Sequence, residues 1–200
     1  MNSKSKLCLI ALAIVSLTFS SCKSEDPVPE NDGELITDVT LTFQELDEYR
    51  IPIGSPFSFK ASDSQGIDFG GSLLIEDVVL AKGKMYSMEI ELYNAILNED
   101  ITVEVREEAD KHQFYFLGTA FSMSRFASYF YNDLYNGRHL GLEGVLSIDE
   151  NPSSTNANLQ IILRHDLNKD FIGADNPNFV DYPLAGGETD LLINFPVIVE

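Results

Sequence analysis

The sequence predicts an all-β protein, an antiparallel β-sandwich with one short helix, and two observations support this prediction. Apolar and polar side chains alternate at every second position over much of the chain, as they do in half-buried strands. Clusters of Gly, Asn, Asp and Pro separate these runs at residues 62–71, 149–154 and 168–187. About eight or nine short strands without helices between them favour an Ig-like or jelly-roll-like sandwich.

The predicted strands follow one another from the first alternation to the end of the chain. They lie at residues 35–43, 57–61, 72–80, 86–92, 112–116, 126–131, 140–148, 157–165 and 189–199. The last run places Leu191, Ile193 and Phe195 on one core face.

One segment departs from this alternation. Ile101, Val105 and Ala109 recur at helical spacing within residues 101–112, and Asp100 precedes them as a suitable N-cap. We therefore predict a short helix here. The alternation of Ile101, Val103 and Val105 also fits a strand, which remains the alternative.

The first residues have the pattern of an export signal. Lys4 and Lys6 precede an apolar run at residues 7–19, which is too short to span a bilayer as a helix. Two serines then stand directly before Cys22, a pattern that resembles the lipobox of bacterial lipoproteins. The resemblance implies cleavage before Cys22 and attachment of lipid to its thiol. An ordinary secretory signal that is cleaved elsewhere is the alternative.

A flexible linker is predicted to connect this cysteine to the folded part of the chain. Residues 23–33 contain prolines, serine and acids but almost no large apolar side chain, so they cannot form a core. Their acidic cluster resembles the export signal of surface lipoproteins in the Bacteroidota. The predicted organisation is a signal peptide at 1–21, lipidated Cys22 and linker at 22–33, and a β-sandwich domain at 34–200. We expect an outer-membrane anchor, with the domain facing the periplasm or the cell surface.

Composition narrows the range of functions. The formal net charge of −19 argues against nucleic acid as a partner and favours a cation or a basic partner. Cys8 lies in the predicted signal and Cys22 is predicted to carry lipid, so no thiol remains for a disulfide, a nucleophile or a metal ion. The sequence contains no GxSxG elbow, P-loop, dinucleotide fingerprint or HExxH motif. We therefore predict a protein that is not an enzyme.

Two of the three histidines are candidates for a metal site. His112 begins an inward-facing alternation with Phe114 and Phe116, and His165 ends the alternation at residues 157–165. If these strand ends share one rim of the sandwich, the two imidazoles converge there. Asp110 and Glu188 are the predicted carboxylate ligands. Two histidines and a carboxylate suit Zn²⁺ or Cu²⁺. Alternatively, each His is a strand-end residue with ordinary hydrogen bonds.

A second candidate site has oxygen ligands only. Asp166, Asn168 and Asp170 occupy positions 1, 3 and 5 of a pattern like the start of a calcium loop. Phe171 and Pro177 stand where an EF-hand requires Gly and Glu, so a looser Ca²⁺ site is the remaining interpretation. An acidic hairpin that keeps a sheet edge soluble explains the same residues.

Several short segments are spread across the domain, at residues 34–37, 101–102, 106–116, 163–165 with Lys169, and 185–190. Together they resemble a family of small Bacteroidota lipoproteins that is commonly labelled a type 1 periplasmic-binding-fold superfamily protein. The resemblance implies ligand binding outside the inner membrane. The fold named in the label requires two doubly wound α/β lobes, which a short domain of alternating strands cannot form.

These observations predict a membrane-anchored, non-enzymatic binding lipoprotein that is accessory to outer-membrane uptake of a small ligand or metal ion. Such a role calls for an outer-membrane transporter as partner. A structural or adhesive surface module that binds a protein is the alternative. A third interpretation is a polysaccharide hydrolase with a pair of acids.

Overall fold

Two sheets form the fold in the computed structural model, which describes residues 34–67 and 71–200. The predicted signal peptide, Cys22 and the linker lie outside the described residues. Strands predominate and helices are few, as the all-β prediction requires, and that prediction is confirmed. Within the described residues, no helix has the length and apolar character needed to cross a membrane.

Eleven strands are present in the described part of the chain. They are β1 (Asp38–Leu46), β2 (Phe57–Ser62), β3 (Leu74–Ile75), β4 (Val78–Leu80), β5 (Met85–Asn94), β6 (Glu99–Asp100), β7 (Gln113–Leu117), β8 (Ala127–Tyr131), β9 (Glu143–Ile148), β10 (Asn156–His165) and β11 (Glu188–Val199). The larger sheet has the order β3-β2-β1-β5-β9-β8, with β6 added beside β5, and the smaller sheet has the order β4-β11-β10-β7. All pairs are antiparallel except β4 with β11, which is parallel.

Short helices connect some of these strands. They are α1 (Ile101–Glu107), α2 (Thr119–Ser122) and a 3₁₀ helix (Tyr182–Ala185). Asp100 caps α1 as predicted, because its Oδ1 accepts a hydrogen bond from Thr102 N at 3.0 Å. The helix ends at Glu107 rather than continuing to residue 112, and the alternative strand at residues 101–107 is wrong.

The core lies between the inner faces of the two sheets. In β1, Val39, Leu41 and Phe43 are fully buried, and the polar residues between them point outward, as the alternation predicts. A second, smaller apolar cluster covers the outer face of the smaller sheet and contains Tyr115 and Ile162. Residues 167–185 supply the rest of that cluster. The second half of β10, from Ile161 to Arg164, is therefore buried on both faces.

Neighbouring side chains in β11 provide a test of this layout. Ile193 is 1% exposed in the core, whereas Leu192 points to the other face and is 39% exposed. We expect Ile193→Ala to lower the free energy of unfolding by about 2–5 kcal/mol, because it leaves a cavity in a packed interior. Leu192→Ala, the matched control, should cost less than about 1.5 kcal/mol. Urea unfolding of both variants measures the difference, and equal losses would contradict the assignment of the inner face.

Candidate metal centre

The two predicted histidines lie together at one rim of the smaller sheet. His112 directly precedes β7, and His165 is the last residue of β10. These strands pair antiparallel, with Gln113 opposite Arg164, so the start of one lies beside the end of the other. The two imidazole rings stack with their centroids 4.5 Å apart and their planes 16° apart. The convergence expected from the sequence is therefore present in the structure.

A β-bulge adds a carboxylate to this pair. In the pairing of β10 with β11, Leu163 lies opposite Leu191 but Arg164 lies opposite Thr189, so Asp190 is the extra residue. Asp190 and Leu191 are consequently both buried, although neighbours in a regular strand point to opposite faces. The bulge thus directs the Asp190 carboxylate inward to the histidines.

The fourth side chain comes from the beginning of the domain. Glu34 precedes β1, and its Oε1 lies 3.5 Å from His112 Nε2. Its side chain is only 10% exposed. Glu34 therefore adds a second carboxylate, far from the histidines in sequence, to the same cluster.

The distances within this cluster can be compared with those around a tetrahedral metal ion. His112 Nε2 lies 3.5 Å from both Glu34 Oε1 and Asp190 Oδ2, and His165 Nδ1 lies 3.9 Å from Asp190 Oδ2. Ligands about 2.0–2.1 Å from a tetrahedral Zn²⁺ are roughly 3.3 Å apart. One ligand atom from each of His112, His165 and Asp190 lies within 4.8 Å of the others. These separations exceed the tetrahedral value and the two rings are nearly parallel, so the imidazoles must reorient for both nitrogens to bind one ion.

In the neutral ring, the tautomer of His112 makes its inner nitrogen available as a ligand. His112 Nδ1 lies 3.1 Å from the carbonyl oxygen of Glu108, which can only accept a hydrogen bond. Nδ1 therefore carries the hydrogen, and in the neutral ring Nε2 presents a lone pair. This arrangement, in which a backbone carbonyl fixes the outer nitrogen, is typical of histidines that bind metal through the other one.

Polar atoms at the centre of the cluster make no hydrogen bonds with the described residues. His112 Nε2, Glu34 Oε2 and both carboxylate oxygens of Asp190 are buried without a partner. A lone pair on Nε2 that faces two carboxylates is repulsive unless a proton or a cation lies between them. A divalent cation would neutralise the two carboxylates and use all these atoms.

Further contacts fix the ligands from outside. His165 Nε2 lies 3.6 Å from Asp166 Oδ1 and 3.9 Å from Glu108 Oε2, so either carboxylate can orient the ring while Nδ1 faces inward. The Lys169 ammonium donates three hydrogen bonds, to the carbonyl oxygens of Ala109, His112 and His139, at 2.7–2.8 Å. Lys169 therefore holds the backbone at His112.

Burial and charge shift the pKa values of two of these groups. Burial raises the pKa of Glu34 to about 7, against the opposing effect of nearby His112 and with a further rise from Asp190. Burial alone would lower the pKa of His112, but the carboxylates of Asp190 and Glu34 outweigh it, and the pKa is raised. Both groups consequently bind protons readily when no cation is present.

The other predicted site residues lie elsewhere. Asp110 and Glu188, the predicted carboxylate ligands, are exposed, and the structure brings Asp190 and Glu34 to the histidines instead. The β-bulge brings Asp190 to the histidines, and the alternation of side chains in β11 does not predict this bulge. Glu34 was missed because it stands directly after the predicted linker.

The oxygens of the predicted calcium loop take part in separate contacts. Asp170 Oδ1 accepts a hydrogen bond from Arg138 at 2.7 Å, and Asn168 Oδ1 accepts one from the Asp170 backbone at 3.0 Å. Asp166 lies beside His165. Because local turns and an ion pair already engage these side chains, the structure gives no support to a Ca²⁺ site here.

The raised pKa of Glu34 predicts an unusual dependence of stability on pH. A carboxyl with a folded pKa of about 7 binds more protons in the folded state than in the unfolded state. Its contribution is therefore complete below its unfolded pKa of about 4.5 and is lost as the pH rises through about 7. We expect the chelator-treated protein to lose about 2–3 kcal/mol of unfolding free energy between pH 5 and pH 8 through this group.

Glu34→Gln is the matched variant, because it keeps the shape of the side chain without its titration. Urea unfolding at pH 5 and pH 8, with and without the substitution, isolates the contribution of Glu34 from that of the overall negative charge. The same pH dependence in both proteins would show that Glu34 is not buried in this way.

Comparisons of the chain with protein-family models, with curated proteins and with solved structures find no match. Any function must therefore be inferred from the side chains themselves. The cluster of His112, His165, Asp190 and Glu34 is the arrangement from which we infer it.

Proposed function

We propose that this protein is a membrane-anchored, non-enzymatic lipoprotein that binds a divalent transition-metal ion outside the inner membrane, as an accessory to outer-membrane uptake. The observation that carries the proposal is His112 Nε2, which is buried, makes no hydrogen bond with the described residues and faces two buried carboxylates. The predicted lipid on Cys22 and the resemblance to Bacteroidota lipoproteins support the location.

The ligand set favours zinc. Two imidazoles and two carboxylates are ligands that Zn²⁺ accepts, and three of the distances between their ligand atoms are 3.5–3.9 Å. Cu²⁺ binds the same atoms but prefers a tetragonal arrangement. Ca²⁺ takes six to eight oxygen ligands, which an imidazole pair does not provide. The order of affinity at this geometry is therefore expected to place Zn²⁺ and Cu²⁺ far above Ca²⁺.

The burial of the site indicates how the ion would enter and leave. The side chains of His112 and Asp190 are 0% exposed, whereas that of His165 is 30% exposed. Access is therefore from the side of His165, where Asp166 and Glu108 are partly exposed and attract cations. A site that is open on one side only favours retention of the ion over rapid exchange.

The hydrolase interpretation receives less support from the same residues. Glu34 and Asp190, the carboxylates of this cluster, are buried beside one imidazole. A glycosidase pair faces a substrate across a cleft that is about as wide as a sugar. Metal binding explains the four side chains better than hydrolysis does. It accounts for their burial and for the inward-facing polar atoms that make no hydrogen bonds with the described residues.

Titration calorimetry of the chelator-treated protein with Zn²⁺, Cu²⁺ and Ca²⁺ tests the proposal. We expect one Zn²⁺ per chain, and a loss of affinity of at least about 100-fold in Asp190→Asn or in His165→Ala, because each removes a direct ligand. Glu188→Gln and Asp110→Asn are the matched controls, since these nearby acids are exposed. They should bind Zn²⁺ within about twofold of the parent protein.

A double variant, His112→Ala with His165→Ala, removes both imidazoles. Binding isotherms for Zn²⁺ and Cu²⁺ that are identical in this variant and in the parent protein would rule out the proposed site. Circular dichroism establishes that each variant is folded before it is titrated.

A further inference from the structure

Glu34 connects the candidate site to the part of the chain that leads to the predicted anchor. It is the first residue that the structure describes, four residues before β1 begins at Asp38. The chain on its N-terminal side leads back to Cys22. A contact at Glu34 therefore controls the point at which the domain ends and its connection to the membrane begins.

The backbone after Glu34 is attached to the larger sheet. Ile36 is 3% exposed in the core, and its carbonyl oxygen accepts a hydrogen bond from Ile67 N at 2.9 Å. Thr37 N donates to the carbonyl oxygen of Tyr93 at 3.0 Å. Glu34 extends this segment toward the smaller sheet, because its side chain reaches His112 before β7. The first residues of the domain thus span from one sheet to the other at this rim.

The carboxylate of Glu34 is placed as a ligand rather than as a surface charge. One oxygen lies 3.5 Å from His112 Nε2, and the other is buried without a hydrogen-bond partner among the described residues. Glu34 reaches the facing ligand atoms of His112, His165 and Asp190 through its contact with His112 Nε2. Four ligands complete the tetrahedral coordination that Zn²⁺ usually has in closed protein sites.

We propose that Glu34 is the fourth ligand of the metal ion, and that ion binding thereby fixes the start of the domain against the rim formed by β7, β10 and β11. This inference rests on the proposed metal-binding function. In the ion-bound protein, Glu34 and Leu35 are held to the rim through a metal–oxygen bond. In the ion-free protein, the same carboxylate is held only by its neighbours and by protonation.

Ion binding and the position of the predicted linker are then coupled in both directions. Ion binding holds Glu34 in place, and anything that pulls the chain before Glu34 away from the rim weakens ion binding by the same factor. A transporter or a membrane surface that acts on the linker would therefore change how tightly the domain holds the ion. The direct observable is protection of the backbone at residues 35 and 36.

Hydrogen exchange of the full-length protein in detergent, measured by mass spectrometry with and without saturating Zn²⁺, tests the inference. We expect Zn²⁺ to slow exchange at Leu35 and Ile36 at least tenfold, while peptides from residues 47–53, which follow the far end of β1, change little. Unchanged exchange at these two residues in protein that calorimetry shows to be saturated with Zn²⁺ would overturn the inference and leave the metal-binding function standing. Absence of Zn²⁺ binding by calorimetry would instead overturn both.

Glu34→Gln supplies the second readout. It should still bind Zn²⁺ through the other three ligands, about 10–100-fold more weakly, and the bound ion should no longer slow exchange at Leu35 and Ile36. Glu188→Gln, the matched control at the exposed start of β11, should keep both the affinity and the protection. Zn²⁺ affinity in Glu34→Gln equal to that of the parent protein would show that Glu34 is not a ligand. The comparison of exchange rates in the parent protein decides the question without this variant if it does not fold.

Discussion

Burial of two carboxylates beside an imidazole is the constraint on which the interpretation of this structure depends. Removing an ionised carboxylate from water costs several kcal/mol unless a proton, a hydrogen bond or a cation compensates it. Asp190 and Glu34 have His112 as their shared neighbour, and one imidazolium could neutralise only one of them. The raised pKa values of Glu34 and His112 are the response of the ion-free protein to this imbalance. A divalent cation removes the imbalance completely.

The sandwich provides the rigid support that such a site needs. His112 and His165 belong to neighbouring antiparallel strands, and the register of β7 with β10 fixes how their rings face each other. The second half of β10 is packed on both faces, and His165 lies at its end. Lys169 adds three hydrogen bonds across the loops around His112. Side chains that are held in this way would lose little conformational freedom if they bound the proposed ion.

Sequence reasoning predicts two of the four residues of the candidate site, His112 and His165, but neither of the two carboxylates. The reason lies in what the alternation of side chains can report. Period-two alternation reports which face of a strand a side chain occupies, so it placed His112 and His165 correctly at inward-facing strand ends. It assumes a regular strand, and the bulge at Asp190 breaks that regularity because one residue in β11 has no opposite residue in β10. Because of this single extra residue, Asp190 lies beside the histidines where Glu188 was predicted.

Local sequence patterns do not predict the contacts of Glu34 or of the acidic loop, and the reason is a different one. Glu34 meets His112 through tertiary structure alone, and nothing in residues 34–37 indicates a partner far along the chain. In the loop, the pattern of Asp and Asn resembled a calcium site, but Arg138 from another turn binds Asp170. Strand faces are set by neighbours in sequence, whereas pairs between distant loops are set by the whole fold.

A buried polar cluster of this kind is better explained by function than by stability. Well-packed apolar side chains of similar size commonly replace buried ion pairs with no loss of stability, or with a gain. The core of this domain is already extensive, and it does not depend on the rim where His112 and Asp190 meet. The cluster therefore contributes a cost to the ion-free fold, and the proposed cation would offset this cost. Strongly perturbed pKa values in such a cluster favour a functional site. In the proposed site one ligand comes from the segment that leads to the predicted anchor, so binding of an ion would both relieve this cost and fix the start of the domain.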